Sequence, residues 1–146
     1  MKEANKFTLN IPSRSANESF ARATVAAFAT VLDPTIEEIS DIKTAVSEAV
    51  TNCIVHAYPN SIGNIYITCE ILEDNIIKIK VRDRGCGIED VTKAMEPLYT
   101  TGGEERAGLG FAVMQSFMDS IRVSSRVGRG TTVIMKKKIS VRTDAR

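Results

Sequence analysis

Two glycines in the C-terminal half of the chain are placed to bring a phosphate group close to the backbone. Gly108-Leu109-Gly110 stands directly before a stretch whose pattern predicts a helix over 111–118. At a helix N-terminus, such glycines let phosphate approach the backbone N–H groups and the positive end of the helix dipole. The stretch is not a P-loop, because no Gly-Lys-Ser/Thr follows, and it lacks the βαβ context of a dinucleotide fingerprint. Alone, the pair is a weak signal.

Three polar side chains stand at helical spacing further upstream. Glu48, Asn52 and His56 are four residues apart, so a helix places them in one column. Taken alone, this column is better explained as a solvated polar face than as a site. Asn52 is nevertheless a weak helix former for a mid-helix position, which indicates that something other than local propensity retains it. We expect His56 to be a helix-end or core residue rather than a catalyst.

A third motif, Asp83-Arg84-Gly85-Cys86-Gly87, directly follows a strand pattern. Aspartate and glycine dominate ordinary turns, so this motif is also weak by itself. Between the glycines, Cys86 is expected to be a small buried hydrophobic residue.

The elements that must position these motifs can be recognised from their periodicity. Alternation of apolar and polar residues predicts strands over 6–11, 64–72, 77–81, 121–125 and 131–139. Helical spacing predicts a helix from 17 to about 31, with Ser15 or Asn17 as its N-cap. Its apolar stripe is Phe20, Ala23, Thr24, Ala27, Phe28 and Val31.

A second helix is predicted to run to about residue 57 from a capping box formed by Thr35 and Glu38. Residues 91–95 suggest a short helix, and the glycine-rich stretch 97–110 suggests a mobile loop. Hairpin-paired strands with helices gathered on one face predict an α+β two-layer sandwich.

Composition limits the classes of function. The chain has 146 residues, the size of one domain, so we expect a single domain over 1–146. A net charge of +1 argues against a nucleic-acid binder driven by bulk charge. No apolar run is long enough for a membrane span, and no signal peptide is evident, so a cytoplasmic location is expected. Three widely spaced cysteines and one histidine favour reduced thiols over disulfides or a structural zinc site.

The C-terminal part is locally basic. From Ser120 to Arg146, eight basic residues stand against one acidic residue. A solvated basic edge strand is the simpler interpretation, since lysines discourage edge-to-edge pairing. A surface that faces a partner or a phosphate group is the alternative.

The order of the motifs is more specific than any one of them. From Glu48 to Thr132, a Glu-x-x-x-Asn helix, an Asp-x-Gly-x-Gly strand end, a Gly-x-Gly segment and a Gly-Thr-Thr hairpin follow one another. This order resembles the GHKL ATPase superfamily of gyrase, heat-shock chaperone 90, histidine kinases and the mismatch-repair ATPase. The resemblance implies a Bergerat-type fold, with a mixed, largely antiparallel sheet, that binds ATP or ADP with Mg²⁺.

The resemblance also assigns roles to residues. Asn52 is implied as the Mg²⁺ ligand and Asp83 as the acceptor for the adenine amino group, which requires a buried acceptor. The glycines and the last hairpin are implied to lie close to the nucleotide. The full set of expected nucleotide contacts is Asn52, Asp83, Gly85, Gly87, Gly108, Gly110 and Thr131.

Further stretches narrow the resemblance. Residues 17–22, 32–35 and 42–52 are similar to the small serine kinases of spore-forming bacteria that antagonise a sigma factor. That similarity implies two partners, a sigma-F-type sigma factor and an anti-anti-sigma factor as phosphorylation substrate, and a homodimer. It places Glu18 and Arg22 at the partner-binding face. In the expected lid, Gly102 and Gly103 stand where a lysine and a proline are typical.

Kinase chemistry needs a base and a positive charge near the transferred phosphoryl group. Glu48 is the acidic residue that faces the phosphate end from its helix, so it is the predicted general base. Arg106, just before Gly108, is predicted to reach the γ-phosphate as the lid closes. Three alternatives are an antagonist of the general-stress sigma factor, an ATP-gated binding module without turnover, and a histidine-kinase catalytic domain. The last is disfavoured because only a short strand and one helix precede the ATP motifs.

Overall fold

Five antiparallel strands form the sheet that carries the site. The computed structural model describes residues 5–96 and 104–141, with only the backbone for 104–109. The strands are β1 (Asn5–Pro12), β2 (Asn64–Leu72), β3 (Ile76–Asp83), β4 (Ser120–Arg126) and β5 (Gly130–Lys138). Their order is β1-β2-β3-β5-β4, and every pairing in this described sheet is antiparallel. The predicted strands and the predicted β2–β3 hairpin are confirmed.

Helices cover the face of the sheet that carries the buried side chains. They are α1 (Asn17–Ala29), α2 (Ile36–Asn52), α3 (Val91–Ala94) and α4 (Glu104–Phe117). The central helix α2 packs against both α1 and α4. Buried side chains from alternate strand positions form the core with them, including Ile65, Ile67, Ile77, Ile79, Val133 and Met135. The predicted α+β sandwich is confirmed, and no helix in the described ranges is long and apolar enough to cross a membrane.

Helix α2 begins as its sequence predicts. Thr35 Oγ1 accepts the N–H of Glu38, and the Glu38 carboxylate accepts the N–H of Thr35, which completes the capping box. The apolar side of α2 is buried at Ile42, Val46 and Val50. After Asn52 the helix widens into a π turn over Cys53–Ala57. π turns inside α-helices are frequent at functional sites.

Two predictions for α1 are wrong. Its buried residues are Ala21, Val25 and Ala29, whereas Phe20 and Val31 of the predicted stripe are 50% and 61% exposed. The helix is alanine-rich on several sides, so its spacing does not determine which side packs against α2. Neither Ser15 nor Asn17 caps it, because Ala16 is the N-cap and makes no side-chain hydrogen bond.

The predicted N-terminus of α4 is also wrong. The helix begins at Glu104, so Gly108 and Gly110 lie inside it rather than at its start. A glycine in a helix interior costs about 1 kcal/mol of stability relative to alanine. For that reason the sequence alone suggests that the helix starts after Gly108 and Gly110. Most of the predicted lid, residues 97–103, lies outside the described residues.

The basic C-terminal strand is not an edge strand. β5 lies between β3 and β4, so the edge-strand interpretation of its lysines is wrong. Lys137 points toward the helices, where its ammonium donates to the carbonyl of Phe117 at 2.8 Å and pairs with Asp41 at 3.3 Å. A cation at the C-terminal end of α4 also interacts favourably with the helix dipole. Lys137 therefore joins β5 to two helices.

Candidate functional site

A cavity of about 730 Å³ opens between α2, the ends of β3 and β5, and α4. Its volume is in the usual range of small-molecule sites, about 300–1,000 Å³. Helix α2 and its π turn contribute one wall, and the Asp83–Asp90 segment and β5 contribute others. The polar groups among its lining residues are Asn52, His56, Asp83, Glu89, Asp90, Lys93 and Thr131.

Asp83 is the buried carboxylate of this cavity, with 6% of its surface exposed. Its Oδ1 accepts the backbone N–H of Gly85 at 2.9 Å and that of Thr131 at 3.2 Å. Its Oδ2 lies 3.6 Å from Sγ of Cys53, which donates its S–H. Burial raises the pKa of Asp83, and these three hydrogen bonds oppose the shift. The predicted acceptor is therefore held in a fixed orientation from three separate elements.

The glycines after Asp83 are required by the protein's own backbone. A side chain at Gly85 would collide with the carbonyl of Ala57, and one at Gly87 would collide with the carbonyl of Arg126. Gly87 also has a φ of +79°, a conformation that favours glycine. The turn is thus pressed between the π turn and the β4–β5 hairpin, and Gly87 contributes directly to the cavity wall.

Two residues that support this turn were not singled out in the sequence. The hydroxyl of Tyr58 accepts the N–H of Arg84 at 2.7 Å and donates to the carbonyl of Asn64 at 2.8 Å. The hydroxyl of Ser125 accepts the N–H of Ile88 at 2.7 Å and lies 2.7 Å from Oγ1 of Thr131. Both act across distant parts of the chain, so no local sequence signal identifies them.

The predicted burial of Cys86 is wrong, because this residue is exposed at the cavity. Its Sγ donates to the carbonyl of His56 at 3.0 Å. His56 itself is half-buried and lines the cavity. The other two thiols are buried, and burial raises the pKa of Cys69 to about 12 and that of Cys53 well above its usual range. Both buried thiols therefore stay protonated.

The polar column of α2 joins this cavity to a neighbouring groove. Asn52 lines the cavity, and its buried Nδ2 has no hydrogen-bond partner within the described part of the chain. Glu48, one turn earlier, lines a separate groove between α1 and α2. Gly110 of α4 faces the side chains of both Asn52 and Glu48. A β-carbon at position 110 would lie 3.2 Å from the amide of Asn52 and 3.2 Å from Oε1 of Glu48. The close approach of α4 to the column explains a glycine in the helix interior.

The groove also contains the predicted partner residue Arg22. Its guanidinium donates to Glu18 at 3.1 Å and to the hydroxyl of Ser47 at 3.3 Å. Ser47 immediately precedes Glu48. The predicted partner-binding residue Arg22 and the predicted base Glu48 therefore line the same groove. The side chain of Arg22 is 37% exposed and remains accessible.

The structure therefore brings most of the predicted site residues together. Asn52, Asp83, Gly87 and Thr131 line one cavity, with Gly85 in the same turn and Gly110 behind Asn52. Arg106 and Gly108 lie in the first turns of α4, and the Arg106 side chain lies outside the described part. Among the described residues, no group of three or more His, Cys, Asp and Glu side chains forms a metal site.

A family model described as the histidine kinase-like ATPase domain matches residues 11–137, and the chain belongs to this class. Membership of this ATPase class implies that the domain binds a nucleotide. One solved structure with the same fold contains the RsbU and RsbW domains of a Mycobacterium tuberculosis protein. The TM-score is 0.69 at 19% identity, over 92% of this chain and 32% of that one, so this chain spans about a third of it. A blue-light activated histidine kinase domain from Erythrobacter litoralis gives a TM-score of 0.55 at 19% identity, over 88% of this chain and 62% of that one.

Curated relatives narrow the class to one family. The anti-sigma F factor of Clostridium acetobutylicum is 55% identical over 141 residues, 96% of this chain and 98% of that protein. The anti-sigma F factor of Caldanaerobacter subterraneus is 64% identical over 140 residues, 95% of this chain and 97% of that protein. The chain belongs to the anti-sigma F factor family.

Proposed function

We propose that this protein binds a sigma-F-type sigma factor and transfers the γ-phosphoryl group of ATP to a serine of an anti-anti-sigma factor. The observation that carries the proposal is the continuity of the α2 column. Asn52 faces the nucleotide-sized cavity, and Glu48 faces the groove that holds Arg22. One helix face thus connects a nucleotide site to a protein-binding groove.

The cavity fits ATP at its adenine end. Asp83 is a buried acceptor, and an exocyclic amine is the donor that such an acceptor requires. A 6-oxo group would place a second acceptor against the carboxylate, so a ligand with a 6-amino group is favoured over one with a 6-oxo group. Burial of the carboxylate increases this discrimination, because interactions are stronger where water is excluded.

The phosphate end fits Mg²⁺ through Asn52. Nδ2 of Asn52 is buried without a hydrogen-bond partner among the described residues, and the side chain lines the cavity, so no described contact of Nδ2 gives this amide a structural role. Mg²⁺ binds through one or two protein oxygens together with substrate phosphates, so a single amide oxygen is a reasonable protein contribution. When bound, the ion neutralises charge on the phosphates during phosphoryl transfer.

Glu48 is the proposed general base. Its carboxylate borders the groove and lies one helical turn from Asn52, so a serine held in the groove would meet the base and the phosphate end together. Gly110 leaves room for both side chains. Arg106 is the proposed γ-phosphate ligand, at the first turn of α4 and two residues before Gly108.

The α1 surface is the proposed partner-binding face. Glu18 and Arg22 form an ion pair on it, and Phe20 of the same helix is 50% exposed. Arginine and aromatic residues are both enriched at protein interfaces. The sigma factor and the substrate protein are proposed to share Arg22, and a homodimer is proposed as the functional state.

The test is a transfer assay with γ-labelled ATP, Mg²⁺ and the anti-anti-sigma factor from the same genome. Glu48→Gln should reduce transfer by roughly 10²–10⁴-fold and change nucleotide affinity by no more than a few-fold. Glu37→Gln is the matched control, because Glu37 is an exposed glutamate of the same helix. Equal transfer by Glu48→Gln and the unchanged protein would exclude this base. ATP-dependent capture of the sigma factor without any transfer would support the binding-module alternative.

A further inference from the structure

The two carboxylate oxygens of Asp83 are used differently. Oδ1 accepts two backbone N–H groups, from Gly85 and Thr131, which occupy both of its lone pairs. Oδ2 accepts only the S–H of Cys53 within the described part of the chain. One lone pair therefore remains on the carboxylate, and it belongs to Oδ2.

Cys53 occupies a position that makes this contact specific. It is the first residue of the π turn, 4% exposed, and it lines the cavity beside Asp83. Its Sγ lies 3.6 Å from Oδ2, within the distance of a hydrogen bond to sulfur. The bond joins the π turn after α2 to the end of β3, so the local geometry of the turn after Asp83 does not produce it.

We propose that Cys53 is a positioning residue that fixes the remaining lone pair of Asp83 toward the base and thereby sets the preference for adenine over guanine nucleotides. The inference rests on the proposed ATP site. With Oδ1 held by two N–H groups and Oδ2 by the thiol, the carboxylate has one acceptor position to offer. A 6-amino group can fill that position, whereas a 6-oxo group would place two acceptors in contact. Without the thiol, Oδ2 has two open positions and accommodates a water between itself and a 6-oxo group.

The experiment measures the dissociation constants of ATP and GTP, with Mg²⁺, for the full chain and three variants. Cys53→Ala should reduce the ATP-over-GTP preference by about tenfold or more, the size expected for one lost hydrogen bond to a charged group. Cys53→Ser restores a donor and should retain most of the preference. Cys69→Ala is the matched control, because Cys69 is also a fully buried free thiol but has no bond to Asp83.

The outcomes separate this inference from the proposed function. If the unchanged protein binds ATP selectively and Cys53→Ala keeps the same preference, Cys53 does not position Asp83. Equal losses in Cys53→Ala and Cys69→Ala would indicate a general packing effect and also overturn the inference. If the unchanged protein does not bind ATP, the proposed function fails and the inference fails with it. Should Cys53→Ala not fold, Cys53→Val fills the space without a donor and must show the same loss of preference.

An infrared measurement provides a readout that packing alone would not change. The S–H stretching band of Cys53, assigned by its absence in Cys53→Ser, should shift when ATP binds, because the amine shares Oδ2 with the thiol. The band of Cys69 should not shift. An unchanged Cys53 band on saturation with ATP would contradict the shared oxygen.

Discussion

Gly110 of α4 faces the side chain of Asn52 on α2 with no room for a side chain of its own. A β-carbon at position 110 would lie 3.2 Å from both amide atoms of Asn52, a distance tighter than most real side-chain contacts. The same β-carbon would lie 3.2 Å from Oε1 of Glu48. The absence of a side chain at one position of α4 therefore leaves room for both the proposed metal ligand and the proposed base on α2.

Gly110→Ala should reduce activity and leave the free energy of unfolding almost unchanged. Alanine is favoured over glycine in a helix by about 1 kcal/mol, which offsets the crowding against α2 and keeps the free energy of unfolding close to its original value. The displaced Asn52 and Glu48 should weaken Mg-ATP binding and slow phosphoryl transfer by about tenfold or more, a loss of about 1.4 kcal/mol. Ser116→Ala is the control, because Ser116 is an exposed residue of the same helix. Full activity of Gly110→Ala would show that the contact has no functional role.

Asn52→Ala should leave the protein at least as stable as before. The substitution removes a buried amide nitrogen that has no partner among the described residues, and alanine is the better helix former. The Mg-dependent part of the ATP affinity should be lost, which titrations with Mg²⁺ and with a chelator would measure. A strongly destabilised variant would indicate that Asn52 is a structural residue, and an unchanged Mg-dependent affinity would exclude it as the ligand.

Asp83 should make stability depend on pH in a defined direction. Burial raises the pKa of this carboxyl from 3.8, so the native state binds the proton more tightly than the unfolded chain. Such a group contributes stability below its unfolded pKa, and the contribution is lost as the pH rises through the raised value. The free energy of unfolding of the protein minus that of Asp83→Asn should therefore decrease from acidic to neutral pH. Urea titrations of both proteins would measure it, and a constant or increasing difference would contradict the expectation.

The regular elements follow from the sequence because their signals are local. The strand alternation and the Thr35–Glu38 capping box each involve neighbouring residues, and both are confirmed. The face of α1 is different, because Ala21, Val25 and Ala29 compete with an equally apolar stripe through Phe20 and Val31. Which stripe is buried depends on packing against α2, and no local pattern contains that information.

The sequence predicts the motifs of the candidate site but not how the folded chain arranges them in space. The N–H of Thr131 reaches Asp83 because β5 inserts beside β3, a pairing between segments 48 residues apart. The roles of Cys53, Tyr58 and Ser125 depend on the same tertiary arrangement. In the sequence, a glycine inside a helix cannot be told from a glycine at a helix boundary. The position of Gly110 inside α4 is explained only by its closeness to Asn52.

Cys86 should be the fast-reacting thiol of the protein. It is exposed, whereas Cys53 and Cys69 are buried and their raised pKa values keep them as unreactive thiols. A thiol reagent should modify one cysteine rapidly in the native protein, and Cys86→Ser should abolish that phase. Because Cys86 lines the proposed nucleotide cavity, saturating ATP should slow the reaction. Rapid modification of Cys53 instead, or no protection by ATP, would contradict the position of the nucleotide.

Arg22→Glu should weaken partner binding without affecting the fold. The Arg22–Glu18 pair is a partly exposed ion pair at helical i, i+4 spacing, which contributes only about 0.3–0.5 kcal/mol. The melting temperature and the ATP affinity should therefore stay close to those of the unchanged protein. A guanidinium is a common interface anchor and pairs with a partner carboxylate in a bidentate manner, so the affinity for the sigma factor should fall at least tenfold, about 1.4 kcal/mol. Lys80→Glu makes the same change of charge on the opposite face of the sheet, since Ile79 and Val81 beside it are buried toward the helices. Titrations with the sigma factor at one salt concentration compare the two variants. If Arg22→Glu and Lys80→Glu bind the sigma factor with equal affinity, Arg22 is not part of the interface and the interface lies away from α1.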